Sequence, residues 1–376
     1  LSALTSASAF TPYVTTPEAF GAKGDGAADD SAAIMNALAS CDSHALASCR
    51  VVFNASYLSG PIRVNASNVT LDVRGVLTML PKAKYLEQVN FITNGEGDPS
   101  RCRTDARGYR TCLENIRITG GGVISGAGTP GAPGLGGWAW WACKYTGCFR
   151  PHLFGIDHVR GLRIDGVTLT NPPNHHIETS GCVGVRIDNI KLEAPHASPN
   201  TDGVNFYGGF DQLLSNSLIS NGDDCVSVVP TGDFYSYHCE AFPTSLDCSG
   251  GHVVVRNVTC LGGHGISIGG VRHGSVRNVT FANMTATGEK GSTQGKYSTG
   301  GVRIKSYPNS TGTVTDIRYR DIIMKGVYLP IQLLGHYCPF PCKTADGNTS
   351  VKFANISFTR VVGTGKSSLV GDFECR

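Results

Sequence analysis

The sequence predicts an all-β chain that folds as a right-handed parallel β-helix behind a short N-terminal capping helix. The composition is the first reason: 376 residues contain 48 glycines and 4 methionines, and Val, Ile, Thr and Asn fill the stretches between the glycines. Such a composition is typical of strands joined by many turns. No linker or low-complexity tract divides the chain. We therefore expect one domain over residues 1–376, with residues 1 to about 50 as the N-terminal cap region.

The second reason is a recurring sequence motif, which we call the phrase. In it, two apolar residues separated by one other residue precede Asn, Asp or Gly and then Val or Ile. It occurs at 162–167, 185–190, 253–258, 317–322 and 351–356. The spacing from Val167 to Ile190, and that from Val258 to Val279, both lie in the low twenties. Periods of this length predict a solenoid. The Leu-x-x-Leu-x-Leu signature of leucine-rich repeats is absent, and a β-sandwich would not repeat one phrase. In a parallel β-helix, equivalent residues stack about 4.8 Å apart.

One helix is predicted near the N-terminus. Asp29, Asp30 and Ser31 form a capping sequence before an alanine-rich segment with helical periodicity, Ala32 to Ser40. We expect this helix to cover the first coil, where open strand edges would favour aggregation.

The third observation is a set of four polar motifs, each beside an apolar β-rich run. They are Asn-Thr-Asp-Gly at 200–203, Gly-Asp-Asp-Cys at 222–225, Gly-His-Gly at 263–265 and Arg-Ile-Lys at 303–305. The spacing from Asp202 to Asp223 equals one coil, whereas His264 follows Asp224 after nearly twice that spacing, across an insertion. Arg303 follows His264 after a similar stretch, which we interpret as roughly two more coils. Stacking would place three carboxylates, one imidazole and two cations on one face.

These residue types suit the hydrolysis of an anionic polysaccharide. Glycoside hydrolysis needs one protonated and one ionised carboxyl group. Three crowded carboxylates repel one another, which raises at least one pKa and favours activity in mild acid. Arg303 and Lys305 could bind a sugar carboxylate. Adjacent residues of a regular strand face opposite sides, so Asp223 and Asp224 share a cleft only if the backbone bends, and Gly222 would allow this.

With these motifs in this order, the sequence resembles the family 28 glycoside hydrolases, the polygalacturonases and their pectin-degrading relatives. The resemblance runs from Phe-Gly-Ala-Lys-Gly-Asp-Gly at 20–26 to Tyr337. It implies a pectin-lyase-like solenoid that hydrolyses α-1,4-galacturonosyl bonds with inversion, without a metal or other cofactor. It also implies a role for each matching position. Asp223 would be the general acid, Asp202 and Asp224 would hold and deprotonate the attacking water, and His264 would keep the proton of the acid in place. The expected substrate-binding residues are Arg303, Lys305, Tyr337 and Asn200.

Two departures from the family pattern bear on specificity. Gly222 stands where typical endo-polygalacturonases have Gln, and Gly263 where they have Ser, which is more similar to the exo-polygalacturonase and xylogalacturonan hydrolase branch. An insertion between Pro230 and Gly251 could wall one end of the cleft or widen it for side chains. Rhamnogalacturonan hydrolases lack the histidine at the position of His264. Endo or exo action, and tolerance of xylose side chains, stay open.

Other interpretations are also open. A pectate lyase would need a calcium-binding carboxylate cluster and a basic proton abstractor, and a carbohydrate-binding β-helix would have no turnover. Singly, Asp202 could be a turn carboxylate, the pair at 223–224 a solvated turn or calcium site, and His264 a structural residue. Arg303 and Lys305 could lie on an exposed basic strand. Trp138, Trp140 and Trp141 could form a sugar-stacking platform or pack inside the protein.

Fourteen cysteines indicate an oxidising compartment. Zinc binding is the alternative, but paired CxxC motifs are absent from the sequence. Short spacings predict the disulfides Cys41–Cys49, Cys102–Cys112, Cys143–Cys148, Cys239–Cys248 and Cys338–Cys342. The family resemblance suggests Cys225–Cys260, which leaves Cys182 and Cys375 without an obvious partner.

The expected setting is extracellular. Asn-X-Ser/Thr acceptors predict a secreted glycoprotein with N-linked glycans; they are Asn54, Asn65, Asn68, Asn257, Asn278, Asn283, Asn309, Asn348 and Asn355. The sequence does not begin with a signal peptide, which suggests a mature chain. No apolar run approaches the ~20 residues of a membrane helix. The net charge of +3 does not favour nucleic acid. We expect a monomer whose partner is an anionic pectic polysaccharide.

Overall fold

The computed structural model describes residues 12–42, 48–94, 99–128, 137–230, 249–288, 300–338 and 350–374. Its helices are α1 (Ser31–Asp42) and α2 (Gly137–Thr146), with single 3-10 turns at Pro17–Phe20 and Pro99–Arg101. The strands of the first half are β1 (Tyr13–Thr15), β2 (Asp25–Asp29), β3 (Cys49–Phe53), β4 (Ser56–Ser59), β5 (Ile62–Arg63), β6 (Val69–Val73), β7 (Val76–Met79), β8 (Ile92–Thr93), β9 (Arg103–Thr104), β10 (Arg110–Thr111), β11 (Leu113–Glu114), β12 (Arg117–Thr119), β13 (Val123–Ser125), β14 (Phe154–Asp157), β15 (Val159–Arg160), β16 (Arg163–Asp165), β17 (Thr168–Thr170) and β18 (Ile177–Ser180). Those of the second half are β19 (Val183–Asp188), β20 (Lys191–Glu193), β21 (Val204–Tyr207), β22 (Phe210–Ser220), β23 (Asp224–Val229), β24 (Ser249–Leu261), β25 (Gly265–Thr287), β26 (Gly300–Val327), β27 (Leu329–Leu334), β28 (Ser350–Gly365) and β29 (Gly371–Glu374).

Most strands pair in parallel along three long ladders, as a parallel β-helix requires; β11, β15 and the start of β19 form a further short parallel ladder, and β9 pairs with β10 antiparallel. The first ladder runs β1, β3, β6, β12, β16, β19 and then through the first halves of β22, β24, β25, β26 and β28. The second runs β2, β4, β7, β13, β17, β20 and then through the second halves of β22, β24, β25, β26 and β28. The third, which we name the site ladder, is β5, β8, β14, β18, β21, β23, β25, β26, β27 and β29. Each turn of the chain contributes one strand to each ladder.

The repeated Asn, Asp and Gly residues occupy the corners between strands, where the backbone has positive φ. One stack of corners comprises Asn68, Asn115, Gly161, Gly184, Asp211, His252, Asn278, Asp316 and Asn355. The other comprises Gly121, Gly166, Asn189, Asn216, Asn257, Asn283, Asp321 and Arg360. Gly, Asn and Asp adopt this left-handed conformation most readily, which explains the recurring phrase. Four of its five copies end at the second corner, and the copy at 351–356 ends at the first.

The strand register confirms one coil length and corrects another. Thr168 pairs with Lys191, which confirms a coil length in the low twenties at that point. Val253 pairs with Val279, so that coil is longer, and the shorter spacing between Val258 and Val279 is not a period. Val258 follows Asn257 at the second corner, whereas Val279 follows Asn278 at the first corner. Sequence spacing alone cannot show that the two residues stand at different corners.

A second correction concerns the basic motif. Ser267 pairs directly with Arg303, so Arg303 lies one coil beyond His264 and not two. The chain between these two partners is longer than that between the paired residues Asn205 and Ser227, because it includes the stretch at 289–299 that joins β25 to β26. Longer connections between the paired strands therefore led the sequence analysis to overcount the coils.

The interior consists of stacked apolar side chains from successive coils. Phe281, Tyr319 and Phe358 occupy one row of the first ladder, because their strands pair in register. Their ring centroids are 4.9 and 5.1 Å apart, and the planes are within 8° of parallel. This spacing matches the distance between paired strands, so the core repeats with the backbone.

Helix α1 is confirmed; it begins at Ser31, one residue before the predicted start at Ala32, and ends at Asp42, beyond the predicted end at Ser40. The backbone amide of Ser31 donates a hydrogen bond to Asp29 Oδ1 at 3.0 Å. Ile34 and Leu38 are buried, and the helix contacts β3, β4 and β5, so it covers this end of the solenoid. Among the described residues, no helix is long and apolar enough to cross a membrane.

The expectation of a single helix was wrong, because α2 forms over Gly137–Thr146. Trp140 and Trp141 lie in α2 and are buried, with exposed fractions of 2% and 6%. Trp141 Nε1 donates to the Pro172 carbonyl at 3.0 Å. Of the two earlier interpretations, buried packing is therefore correct for these two tryptophans, and the side chain of Trp138 lies outside the described residues.

Candidate active site

The predicted motifs meet at one edge of the site ladder. Asp202 stands just before β21, and Asp224 is the first residue of β23. The backbone amide of Gly203 donates to the carbonyl of Asp224 at 2.9 Å, and that of His264 donates to the carbonyl of Asp223 at 2.8 Å. Parallel strands begin at the same edge of a sheet, and residues far apart in sequence therefore become neighbours here.

The predicted bend between the adjacent aspartates is present. The backbone turns at Gly222 and Asp223 before β23 begins at Asp224. A Cβ at Gly222 would lie 2.1 Å from the carbonyl oxygen of Ser198, so a larger residue does not fit this path. The pairing of β23 with β25 also shifts by one residue between Asp224 and Val226. The bend and the shift let both carboxylates contact cationic side chains.

Asp223 and His264 form a close ion pair. His264 Nδ1 lies 2.6 Å from Asp223 Oδ1. The same oxygen accepts the backbone amide of Asp224 at 2.9 Å, whereas Oδ2 has a longer contact of 3.3 Å with the amide nitrogen of Asn200. Burial raises the pKa of Asp223, but the ion pair with His264 and the nearby cations lower it by more, so the pKa lies well below the ordinary aspartate value. Burial lowers the pKa of His264, and Asp223 raises it above the ordinary histidine value.

Asp224 is held by a second set of partners. Lys305 Nζ lies 2.6 Å from its Oδ2, Ser267 Oγ donates to its Oδ1 at 2.7 Å, and Arg303 Nη1 is 3.7 Å from Oδ1. Burial lowers the pKa of Lys305, while Asp224 raises it, and the net effect is an increase. Arg303 and Lys305 are 0% and 5% exposed, so the interpretation as an exposed basic strand was wrong.

Asp202 is the carboxyl group with a raised pKa. Asn205 Nδ2 donates to its Oδ2 at 3.0 Å, and His175 Nε2 lies 3.6 Å from its Oδ1. Burial raises the pKa of Asp202 to about 6; His175 lowers it, and the nearby carboxylates Asp223 and Asp224 raise it. One carboxyl pKa is therefore raised, as expected, but burial is the largest cause and crowding a smaller one, and the raised group is Asp202 rather than the predicted acid Asp223.

Beside Asp202 lies a cluster that the sequence analysis missed. Glu178 Oε2 is 3.1 Å from His175 Nδ1 and 3.2 Å from His152 Nε2. The two imidazole rings stack with centroids 4.3 Å apart. The sequence contained one signal for this cluster. His175 and His176 stand directly before β18, just as the motif that contains Asp202 stands directly before β21.

Arg303 is fully buried, and its guanidinium is incompletely satisfied. None of its three side-chain nitrogens has a hydrogen-bond partner among the described residues. The ring of Tyr337 lies 5.6 Å from its Cζ and 5.3 Å from Lys305 Nζ. Tyr337 is held to the neighbouring coil because its amide donates to the carbonyl of Ser306 at 2.8 Å. Burial raises the pKa of the Tyr337 hydroxyl.

Asn200 is placed beside the carboxylates as predicted, and an arginine that the sequence analysis missed supports it. Arg150 Nη2 donates to Asn200 Oδ1 at 2.7 Å, and its Nη1 donates to the carbonyl of Pro199 at 2.9 Å. Because Oδ1 is used in this way, the Nδ2 of Asn200 points to Asp223. The structure thus brings together all eight predicted residues, from Asn200 to Tyr337.

Two groups of residues could each offer three ligand atoms to a metal ion. Within each group, these atoms lie within 4.8 Å of one another. The groups are His152, His175 and Glu178, and Asp223, Asp224 and His264. In the second group, the imidazole already pairs with Asp223, and Lys305 already pairs with Asp224. These internal ion pairs neutralise the two carboxylates without a metal ion.

Four of the predicted disulfides are confirmed. They are Cys41–Cys49, Cys102–Cys112, Cys143–Cys148 and Cys225–Cys260. Cys182 is a buried free thiol, and Cys338 is disulfide-bonded. Cys239, Cys248, Cys342 and Cys375 lie outside the described residues.

Comparison with known proteins gives the family and the fold of this chain. Residues 81–376 match the model of "Glycosyl hydrolases family 28". An exopolygalacturonase of Zea mays is 29% identical over 353 residues, covering 92% of this chain and 75% of its own; a second from the same plant is 30% identical with the same coverage.

Solved structures share the fold. The endo-xylogalacturonan hydrolase of Aspergillus tubingensis superposes with a TM-score of 0.68 at 20% identity, covering 96% of this chain and 95% of its own. The polygalacturonase of Erwinia carotovora gives 0.64 at 21% identity, with 93% of both chains covered. The predicted right-handed, pectin-lyase-like parallel β-helix is thereby confirmed. The family model covers well over half of the chain, and this protein therefore belongs to glycosyl hydrolases family 28.

Proposed function

We propose that this glycoside hydrolase is a secreted, inverting enzyme with one catalytic domain. Its substrate is the pectic galacturonan backbone, unsubstituted or carrying xylose, in which it cleaves α-1,4-D-galacturonosyl linkages. The printed names of the relatives support this substrate class. The site supports this substrate class as well. The buried cations Arg303 and Lys305 can bind the carboxylate of an anionic sugar, and the three carboxyl groups beside them can supply the acid and base for hydrolysis.

The different surroundings of the two Asp223 oxygens carry the assignment of the general acid. Oδ1 accepts hydrogen bonds from His264 and from the backbone amide of Asp224. Oδ2 has the 3.3 Å contact with Asn200. A proton for the glycosidic oxygen is therefore carried on Oδ2, while His264 Nδ1 donates to Oδ1.

The proton count of this pair reconciles the acid role with the low pKa of Asp223. In the free enzyme, the pair holds its proton as an imidazolium and a carboxylate. The reactive form has the same number of protons, with a neutral imidazole and the proton on Asp223. An anionic substrate beside Arg303 and Lys305 reduces the positive potential and favours this form. Activity then requires the pair to keep one proton, wherever that proton resides in the free enzyme.

Asp202 and Asp224 hold the attacking water and accept its proton. Lys305 keeps Asp224 in an ion pair, so this residue orients the water as a carboxylate. Asp202, with its pKa raised to about 6, accepts the proton more readily than an exposed aspartate would. Inversion requires this water to attack from the face of the sugar opposite Asp223.

Arg303, Lys305 and Tyr337 bind the uronate group. The unsatisfied guanidinium of Arg303 matches a carboxylate, which can accept two parallel hydrogen bonds from it. The ring of Tyr337 lies next to both cations, where it can pack against the bound sugar. Secretion is supported by the four disulfides, which persist in oxidising compartments.

The test is a time course of product length on polygalacturonate and on xylose-substituted galacturonan, with a chelator present and Asp223→Asn as the control. Saturated products from either substrate, absent in the variant, support the proposal. Mixed oligomers at early times indicate endo action, and monomer from the start indicates exo action. No products, or unsaturated products that a chelator abolishes, would refute it.

A further inference from the structure

We propose that His175 is a positioning residue for Asp202: its imidazolium, anchored by Glu178 and His152, orients the Asp202 carboxylate and supplies a counter-charge. This inference rests on the proposed function only for its kinetic consequence. The network itself is a property of the folded chain.

The strand register places His175 beside Asp202. Ile177 pairs with Val204, and the amide of His176 donates to the carbonyl of Asp202 at 2.8 Å. His175 therefore precedes β18 as Asp202 precedes β21, one coil apart. Both side chains are mostly buried, with exposed fractions of 14% and 12%.

The hydrogen bonds of His152 define where its proton is. The backbone amide of His175 donates to His152 Nδ1 at 3.2 Å, so this nitrogen carries a lone pair. The proton is then on Nε2, which donates to Glu178 Oε2 at 3.2 Å. A protonated Nε2 has no lone pair for a metal ion. The cluster is therefore a hydrogen-bond network.

His175 forms the link between Glu178 and Asp202. Its Nδ1 lies 3.1 Å from Glu178 Oε2, to which the imidazolium donates, and 3.0 Å from Asn205 Nδ2, which donates to Asp202 Oδ2. Its Nε2 faces Asp202 Oδ1 at 3.6 Å. Burial lowers the pKa of His175, but Asp202 and Glu178 raise it to about 9. The pKa of Glu178 is lowered, because the two histidines outweigh the effect of its burial. Burial lowers the pKa of His152 to about 4, so His152 is the neutral member.

Other charged groups near the network do not replace His175. Asp223 adds to the negative charge that His175 faces, and Asp223 and Asp224 both repel the charge on Asp202. Arg150 acts on His152, and the ring nitrogens of His176 contact backbone carbonyls at 2.9 and 3.3 Å. Asp202 thus has His175 as its main cationic neighbour, and removal of that charge should favour the protonated aspartic acid.

The first test does not depend on activity. Imidazole NMR titrations of the full chain would follow His175, assigned by its loss in His175→Gln. We expect His175 to remain protonated through pH 7, and both Glu178→Gln and Asp202→Asn to lower its midpoint by about one unit or more. The control Glu193→Gln removes a carboxylate that pairs with Lys191 away from the network, and it should change nothing. A wild-type midpoint at the ordinary histidine value that is unaffected by Glu178→Gln would overturn the proposal.

The second test is the pH profile of kcat/KM on polygalacturonate. His175→Gln and Glu178→Gln should shift the acid limb upward by about one unit, which is a loss of about tenfold at low pH and a smaller loss at neutral pH. A merely structural role would lower activity equally at every pH, and that result would overturn the positioning role. If the wild-type protein has no hydrolase activity, the proposed function fails, and the NMR titration still decides the network.

Discussion

Lys305 Nζ lies 2.6 Å from Asp224 Oδ2, although 81 residues separate the two in sequence. The ion pair joins β23 to β26 across the intervening strand β25, so two coils of the solenoid share it. The two side chains are 6% and 5% exposed. A buried charge pair of this kind fixes the Asp224 carboxylate, and each partner depends on the other.

Lys305→Met should therefore impair both catalysis and folding. An unpaired buried carboxylate costs about 3–5 kcal/mol of stability. We expect turnover to fall by at least ~10²-fold, and the unfolding midpoint to drop. The control Lys191→Met breaks an exposed pair with Glu193 and should leave both unchanged. Wild-type turnover in Lys305→Met would show that Asp224 does not need this charge.

Asp223→Asn keeps the shape of the side chain and removes the proposed proton donor. We expect kcat to fall by at least ~10²-fold, and the unfolding temperature to drop as well, because Asn no longer forms the ion pair with His264. Steady-state kinetics and thermal unfolding on the same samples measure the two effects separately. Full activity in this variant would eliminate Asp223 as the general acid.

The pH dependence follows from two groups. Asp202 must be ionised to accept a proton, so kcat/KM should fall as pH decreases through its raised pKa of about 6. The pair of Asp223 and His264 must keep one proton, so kcat/KM should also fall as pH rises through the pKa of His264, which Asp223 holds above the ordinary histidine value. A bell-shaped profile is expected, and the alkaline limb should move in His264→Gln. An acid limb at the ordinary aspartate pKa would contradict the assignment to Asp202.

The disulfide Cys225–Cys260 should stabilise the protein more than Cys143–Cys148 does. The first closes a segment with a sequence separation of 35, and the second closes one of 5. Loop-closure entropy predicts about 4 kcal/mol against about 2 kcal/mol. Denaturant unfolding of the two double Cys→Ala variants compares them. Equal losses would mean that local packing, not closure of the longer segment, determines the effect.

The sequence was sufficient for the fold because its signals were local. Asn, Asp and Gly at the corners adopt positive φ in any coil, and a helix cap at Asp29 and Asp30 acts within one turn. Such signals predicted the solenoid and helix α1. Helix α2 was missed because no Ser, Thr, Asp or Asn stands in the sequence just before Gly137, where the helix begins.

The site was predictable to the extent that its motifs carry their own chemistry. Asp202, Asp223, Asp224 and His264 are recognisable because carboxylates and imidazole stand beside strand-like runs. By contrast, the network of His152, His175 and Glu178 forms only through the register of β14, β18 and β21. Coil lengths vary along this chain, and sequence spacing did not reveal which strands pair.

The most direct test of the central claim is the anomeric configuration of the first product. Proton NMR of polygalacturonate, followed from the first minutes with a chelator present, reports the anomeric signals and any unsaturated sugar. We predict saturated products whose new reducing ends appear first as the β-anomer, because inversion of an α-linkage gives β, and no such signals with Asp223→Asn. Initial α-anomer would mean retention, and unsaturated ends would mean a lyase; either result would contradict the roles given to Asp202, Asp223 and Asp224.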